Sequence, residues 1–174
     1  DSCKSIWFMR QAGRYLPEFR EIRQKNKNFI ELCLNSELSS KITLQPVKRF
    51  DVDSAIIFSD ILMVPYALGQ EVKFVTNQGP KLSNFNVEKF LDNNEIEFTK
   101  KLNSVYKAIE KTRKALDNKK SLISFVGAPW TLMVYMLGFK KNKNVINFNQ
   151  SIKEKFNLDL IQDKLVKVLC THIE

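Results

Sequence analysis

The stretch Ala55-Ile56-Ile57-Phe58-Ser59-Asp60 consists of four consecutive apolar residues followed by a serine and an aspartate. Two further runs have a similar character, Ile6-Trp7-Phe8-Met9 and Leu122-Ile123-Ser124-Phe125-Val126. Apolar residues at successive positions, instead of alternate ones, are typical of strands covered on both faces, as in parallel sheets. These runs predict three buried parallel strands.

Amphipathic segments alternate with the apolar runs. Apolar residues at helical spacing predict a helix over 98–116, between the second and third strands, and another over 152–169. Alternating residues over 70–75, between the turn-forming Gly69 and Gly79-Pro80, predict a small hairpin or an extended excursion. The lysines and asparagines of 140–147 predict an exposed loop. The order of strands and helices indicates an α/β fold with a parallel sheet.

The chain is expected to form a single domain over residues 1–174, since the sequence shows no internal repeat or linker. A closed barrel of eight βα units takes about 250 residues, whereas only about three units are recognisable here. We therefore expect the first three or so units of a (β/α)8 TIM barrel, with the C-terminal part missing.

The composition is that of an ordinary globular domain, with 44% hydrophobic and 27% charged residues. No apolar run reaches the roughly 18 residues of a membrane span, and the first ten residues lack the layout of a signal peptide. The expectation is a cytoplasmic protein with no membrane association. Cys3, Cys33, Cys170 and His172 lack the spacing of a disulfide scaffold or a zinc site, so no metal is expected.

The formal charge of +9 favours anionic partners without choosing among them. Only six of the 28 basic residues are arginines, and four of the six lie within the first 23 residues: Arg10, Arg14, Arg20 and Arg23. Clustered arginines indicate carboxylate or phosphate recognition. A nucleic-acid-binding protein is an alternative, but it would combine one basic face with interleaved aromatic residues. The lysines here are spread over several elements instead.

Each apolar run is followed by polar or turn-forming residues, at the edge where parallel α/β proteins build their sites. After the first run, Arg10 and Arg14 bracket a Gln-Ala-Gly turn that can present two guanidinium forks and backbone N–H groups to a polycarboxylate. Pairing of these arginines with Glu18, Glu21 or Glu31 on the surface is an equally good interpretation. The residue types alone leave both open.

Asp60 and Tyr135 are weaker candidates when each is considered alone. Asp60 follows a predicted buried strand, so its carboxylate should be partly desolvated and should accept strong hydrogen bonds, although capping a turn is the commoner role of an aspartate. Tyr135 lies in an apolar segment that Pro129 opens as a helix, where a core position is commoner than a site.

At these residues the chain resembles the uroporphyrinogen decarboxylase family. Residues 7–20, WFMRQAGRYLPEFR, are similar to the family's N-terminal signature nearly position for position. Residues 44–46 (LQP), 55–69 (AIIFSDILMVPYALG) and 127–136 (GAPWTLMVYM) are similar to further family segments in the same order.

The resemblance implies an eight-fold βα barrel, a homodimer when complete, that acts in porphyrin and heme biosynthesis without a metal or organic cofactor. Its reaction removes CO2 from the four acetate side chains of uroporphyrinogen III to give coproporphyrinogen III. Asp60 and Arg10 would be catalytic, Asp60 by stabilising a protonated pyrrole. The residues implied in substrate binding are Arg10, Gln11, Ala12, Gly13, Arg14, Asp60 and Tyr135.

This sequence departs from the family in ending before the serine or threonine and the histidine that contact substrate in the family's second half. His172 is not that histidine. Two other interpretations therefore stand beside the decarboxylase. One is a corrinoid-linked methyltransferase of the same barrel superfamily, against which the Arg10 to Arg14 signature argues. The other is an inactive fragment that folds only partly.

Overall fold

The structure is a computed structural model, and it describes residues 4–75, 78–138 and 156–174. Within these ranges, no helix has both the length and the apolar character needed to cross a bilayer. The elements, in chain order, are α1 (Pro17–Lys25), α2 (Phe29–Cys33), α3 (Ser36–Phe50), β1 (Ser54–Ile56), α4 (Met63–Ala67), β2 (Val72–Val75), β3 (Gly79–Leu82), α5 (Val87–Asp92), α6 (Glu95–Ala115), β4 (Ser121–Ile123), α7 (Pro129–Met136) and α8 (Leu158–Ile173).

Strands β1 and β4 form the parallel pair that the second and third apolar runs predict. Ser54 lies opposite Ser121 and Ile56 opposite Ile123. Between the two strands the chain forms α4, β2, β3, α5 and then α6. Helix α6 leads into β4 and matches the helix predicted over 98–116, with its apolar stripe buried. The prediction of an α/β fold with parallel strands is confirmed by this βαβ unit.

The strand predicted over Ile6–Met9 is wrong. These residues form no strand, and their side chains are between 47% and 80% exposed. The segment joins the chain just before β1 through Asp53, whose N–H donates to the Ile6 oxygen at 2.9 Å. Beyond that bond, the side chain of Gln11 occupies the hydrogen-bonding positions of β1 that a neighbouring strand would need.

The hairpin predicted around 70–75 is confirmed, because β2 and β3 pair antiparallel with Val72 opposite Leu82. Helix α8 corresponds to the helix predicted over 152–169 but runs further, to Ile173. The first residues of that predicted helix and the loop predicted over 140–147 lie outside the described residues.

Helix α3 was not predicted, although a helix-start signal is present at Asn35. The Asn35 side chain accepts the Leu38 N–H at 3.0 Å and so caps the helix. Pro46 lies inside this helix. Because a proline normally interrupts a helix, its presence argued against a helix here when only the sequence was considered. Ser39 and Thr43 are buried on α3 and become important at the end of β1.

The chain divides into two compact units. The first consists of Asp1–Asp60 with Leu102–Phe125, and the second of Ile61–Lys101 with Val126–Glu174. In the first unit one cluster packs α1, α2 and α3 together, through Leu16, Phe19, Ile22, Leu32 and Ile42. A second cluster packs α3 on β1, through Leu44, Val47, Val52, Ala55 and Leu116. The single domain over 1–174 stays a prediction.

The environment of His172 on α8 gives a measurable consequence. Its ring meets Phe98 edge to face, with the ring centroids 5.9 Å apart. Burial lowers the pKa of His172 because it disfavours the charged imidazolium. His172 is the one histidine of the given sequence. In an NMR titration of the complete protein, with any other histidine replaced, the His172 ring should titrate with a midpoint below 6.5.

The sign of the linked stability effect follows from this shift. Above the unfolded pKa of about 6.5, both states hold a neutral ring and His172 contributes no pH dependence. As the pH falls below that value, the unfolded state binds the proton first, and the folded state loses stability. A midpoint at or above 6.5, or acid destabilisation that is undiminished in His172→Phe, would contradict this assignment.

Candidate active site

The arginine loop, residues 10–16, is fixed at both ends within the first unit. At its end, Leu16 is 1% exposed in the cluster of α1, α2 and α3, and its N–H donates to the Gly13 oxygen at 3.0 Å. Arg20, on α1, donates to the Arg14 and Tyr15 oxygens at 2.8 and 3.2 Å. The backbone of the loop is therefore held by α1 before any ligand arrives.

The start of the loop is attached to β1 by the side chain of Gln11, which is 5% exposed. Its Nε2 donates to the Ser54 oxygen at 2.7 Å, and its Oε1 accepts the Ile56 N–H at 3.0 Å. The Tyr15 hydroxyl in turn donates to the Gln11 backbone oxygen. The structure thus gives the Gln11 side chain a role that sequence reasoning missed, since the prediction concerned its backbone N–H.

Arg10 and Arg14 are exposed on this anchored backbone. Two of the glutamates proposed as surface partners are engaged elsewhere, because Glu18 pairs with Arg49 at 2.8 Å and Glu31 accepts from Asn28 at 2.8 Å. Among the described residues, the ion pairs do not include either arginine of the loop. Ligand binding by Arg10 and Arg14 stays a prediction.

Asp60 lies just beyond β1 and is partly buried. The chain leading to it is held at Phe58, whose N–H donates to Thr43 Oγ1 at 2.8 Å and whose oxygen accepts from Ser39 Oγ at 2.6 Å. Burial raises the pKa of the Cys33 thiol to about 12, and the negative charge of Asp60 adds to that rise. The catalytic role of the Asp60 carboxylate stays a prediction.

Tyr135 belongs to the second unit, where it is 40% exposed on α7. Leu132, Met133 and Met136 of the same helix are buried, whereas Tyr135 is exposed and is therefore not a core residue. The turn before the helix is tight, since a Cβ on Gly127 would lie 2.8 Å from Leu132 Cδ2. Convergence of Tyr135 with Asp60 stays a prediction.

The cysteines that the structure describes are free thiols, Cys33 being buried and Cys170 exposed, while Cys3 lies outside the described residues. Over those same described ranges, histidine, cysteine and acidic side chains do not gather in groups of three that could hold a metal ion. Chemistry without a metal or organic cofactor stays a prediction.

The fold is similar to that of a solved methyltransferase from Methanosarcina mazei. The comparison has a TM-score of 0.58 and covers 85% of this chain and 44% of the other. Because only 17% of the aligned residues are identical, the likeness concerns the fold alone.

The sequence comparisons are more specific. Residues 4–174 match the profile of the family described as uroporphyrinogen decarboxylase (URO-D). Proteins named uroporphyrinogen decarboxylase from Rickettsia canadensis (strain McKiel), Rickettsia massiliae (strain Mtu5) and Rickettsia bellii (strain RML369-C) are 42%, 45% and 43% identical over 97%, 94% and 100% of this chain, and over 51%, 49% and 53% of their own lengths.

The chain thus spans about half the length of the curated relatives it matches. The profile covers nearly all of the sequence, including the arginine loop, β1 and α7. The chain therefore belongs to the uroporphyrinogen decarboxylase family.

Proposed function

We propose that the protein is a carboxy-lyase that converts uroporphyrinogen III to coproporphyrinogen III by removing CO2 from four acetate side chains. The observation that carries the proposal is the arginine loop, in a chain that belongs to the family. Hydrogen bonds from Gln11 and Arg20 hold the backbone of this loop, while Arg10 and Arg14 are exposed. The basic charge of the chain suits a substrate with many carboxylates.

Substrate binding is the proposed role of the loop. The guanidinium groups of Arg10 and Arg14 bind carboxylates through paired, charge-assisted hydrogen bonds, which are geometrically specific. Backbone N–H groups near Gln11, Ala12 and Gly13 bind further carboxylate oxygens. Because α1 and β1 already hold this backbone, little ordering is left for the binding step.

The chemical step uses the substrate as its own electron sink. Protonation of a pyrrole ring carbon gives a cation, which accepts the electron pair of the breaking acetate C–C bond as CO2 leaves. The exocyclic methylene that forms then takes up a proton to become the methyl group, and the ring carbon gives up the proton that it received. Asp60 accepts hydrogen bonds from the pyrrole N–H groups, and its negative charge stabilises the cation more in the transition state than in the ground state. Tyr135 hydrogen-bonds the substrate or supports Asp60.

Arg10 is a second proposed catalytic residue, placed to assist proton delivery. Carboxylate binding is its stronger role, because a guanidinium group does not readily give up a proton in proteins.

The proposed whole protein is an eight-stranded βα barrel, active as a cytoplasmic homodimer without metal or organic cofactor. The parallel pairing of β1 with β4 and the match to the uroporphyrinogen decarboxylase family support such a barrel. In this arrangement Asp60 and the segment before Tyr135 follow successive strands, at the edge where barrel enzymes hold their substrates.

The test is anaerobic incubation of the complete reading frame with enzymatically prepared uroporphyrinogen, followed by chromatographic counting of the carboxylates. We expect stepwise conversion from eight carboxylates to four, against an incubation without protein that fixes the spontaneous rate. Retention of all eight carboxylates would refute the proposal and bring forward the methyltransferase or a binding role.

A further inference from the structure

The outer edge of β1, on the side away from β4, is covered by side chains. Residues 53, 55 and 57 bond towards β4, as Ile57 N–H does to the Ile123 oxygen at 2.9 Å. On the other edge, the Gln11 carboxamide bridges Ser54 and Ile56. Beyond it, Ser39 and Thr43 hold both backbone groups of Phe58.

The Gln11 carboxamide imitates one residue of a parallel partner strand. In a parallel ladder, a single residue donates its N–H to the C=O of residue i and accepts the N–H of residue i+2. Gln11 makes both of these bonds, to Ser54 at 2.7 Å and to Ile56 at 3.0 Å, with atoms of one side chain. This explains how an irregular loop can be attached to a strand without forming one.

We propose that Gln11 is a positioning residue, whose carboxamide sets the arginine loop against the strand that leads to Asp60. The proposal rests on the proposed function and assigns Gln11 no contact of its side chain with substrate. Gln11 directly follows Arg10 in the sequence. Its carboxamide bonds to β1, and β1 leads through Phe58 to Asp60. Loss of the bridge frees the loop at the end that α1 does not hold.

Two substitutions separate the bridge from mere bulk. Gln11→Met keeps the length of the side chain but removes both hydrogen bonds. Gln11→Glu keeps the shape, and its protonation state decides the outcome. An ionised carboxylate cannot donate to the Ser54 oxygen, whereas the protonated acid has one donor and one acceptor, as the carboxamide has. Burial raises the pKa of the introduced carboxyl, so the acid form is reached at mildly acidic pH.

The measurement is the pH dependence of KM and kcat for decarboxylation by the complete protein. The control is Gln24→Glu, at an exposed position of α1. Near neutral pH we expect both Gln11 variants to raise KM roughly tenfold or more, because misplaced binding groups weaken productive binding. The ratio of KM to wild type should fall for Gln11→Glu as the pH is lowered and stay constant for Gln11→Met. Gln24→Glu should follow the wild type.

A second readout needs no substrate. In Gln11→Met, hydrogen exchange of the Ile56 amide should become faster, while the Ile57 amide, bonded to β4, keeps its rate. If the methionine variant does not fold, the pH behaviour of Gln11→Glu decides. Wild-type KM and kcat in both variants, or a lower melting temperature with unchanged KM, would overturn the positioning role. A wild-type protein that removes no carboxylates would refute the proposed function itself.

Discussion

Asp60→Asn should lower kcat for decarboxylation by roughly 10²- to 10³-fold, the loss expected when a preorganised electrostatic group is removed from the developing charge. Asparagine keeps the size of the side chain and one hydrogen-bond acceptor, so the charge is the property that is lost. Asp60→Ala, which also removes the acceptor, should be at least as slow. The assay is carboxylate counting over time with the complete protein under anaerobic conditions.

The matched control is Asp163→Asn, on the exposed surface of α8. It makes the same chemical change in the other compact unit and should leave kcat unchanged. Folding is checked through the Cys33 thiol, which is 1% exposed and should stay unreactive to a thiol reagent in the folded Asp60 variants. An Asp60→Asn enzyme within threefold or so of wild-type kcat would refute the electrostatic role, given the size of the expected effect.

The part of the fold that the sequence predicts well is local. The run before Asp60 packs on α3 and forms β1, whereas the run at 122–126 forms a strand only as far as Ile123 and leaves Phe125 42% exposed. The run at Ile6–Met9 is also continuously apolar, but its side chains are exposed. An apolar run is buried only where other elements pack on it, and that packing depends on residues distant in sequence.

The candidate site shows the same limit. The exposure of Arg10 and Arg14 and the partial burial of Asp60 agree with predictions from the adjacent sequence. The bridge made by Gln11 depends on pairing with residues 43 and 45 positions away, for which a lone glutamine gives no periodic signal. Ser39 and Thr43 were missed for a similar reason, since hydroxyls on an unpredicted helix carry no information about the strand they contact.

Replacing both loop arginines by lysine should raise KM far more than it changes kcat. Arg10→Lys and Arg14→Lys keep the positive charge but lose the planar fork that binds a carboxylate through two parallel hydrogen bonds. Hydrogen bonds to charged groups contribute enough that each substitution should raise KM by roughly tenfold, and the double variant by roughly a hundredfold if the two act independently. The measurement is KM and kcat from initial rates of carboxylate loss.

Arg49→Lys is the matched control, because Arg49 is a surface arginine of the same unit that pairs with Glu18 at 2.8 Å. An exposed pair of this kind contributes little, so this variant should keep the wild-type KM. Dependence on salt separates charge from geometry: the lysine variants, which rely on charge alone, should lose affinity more steeply as ionic strength rises. If the double variant keeps the wild-type KM, the loop does not bind the substrate carboxylates, and the two exposed guanidinium groups have another role.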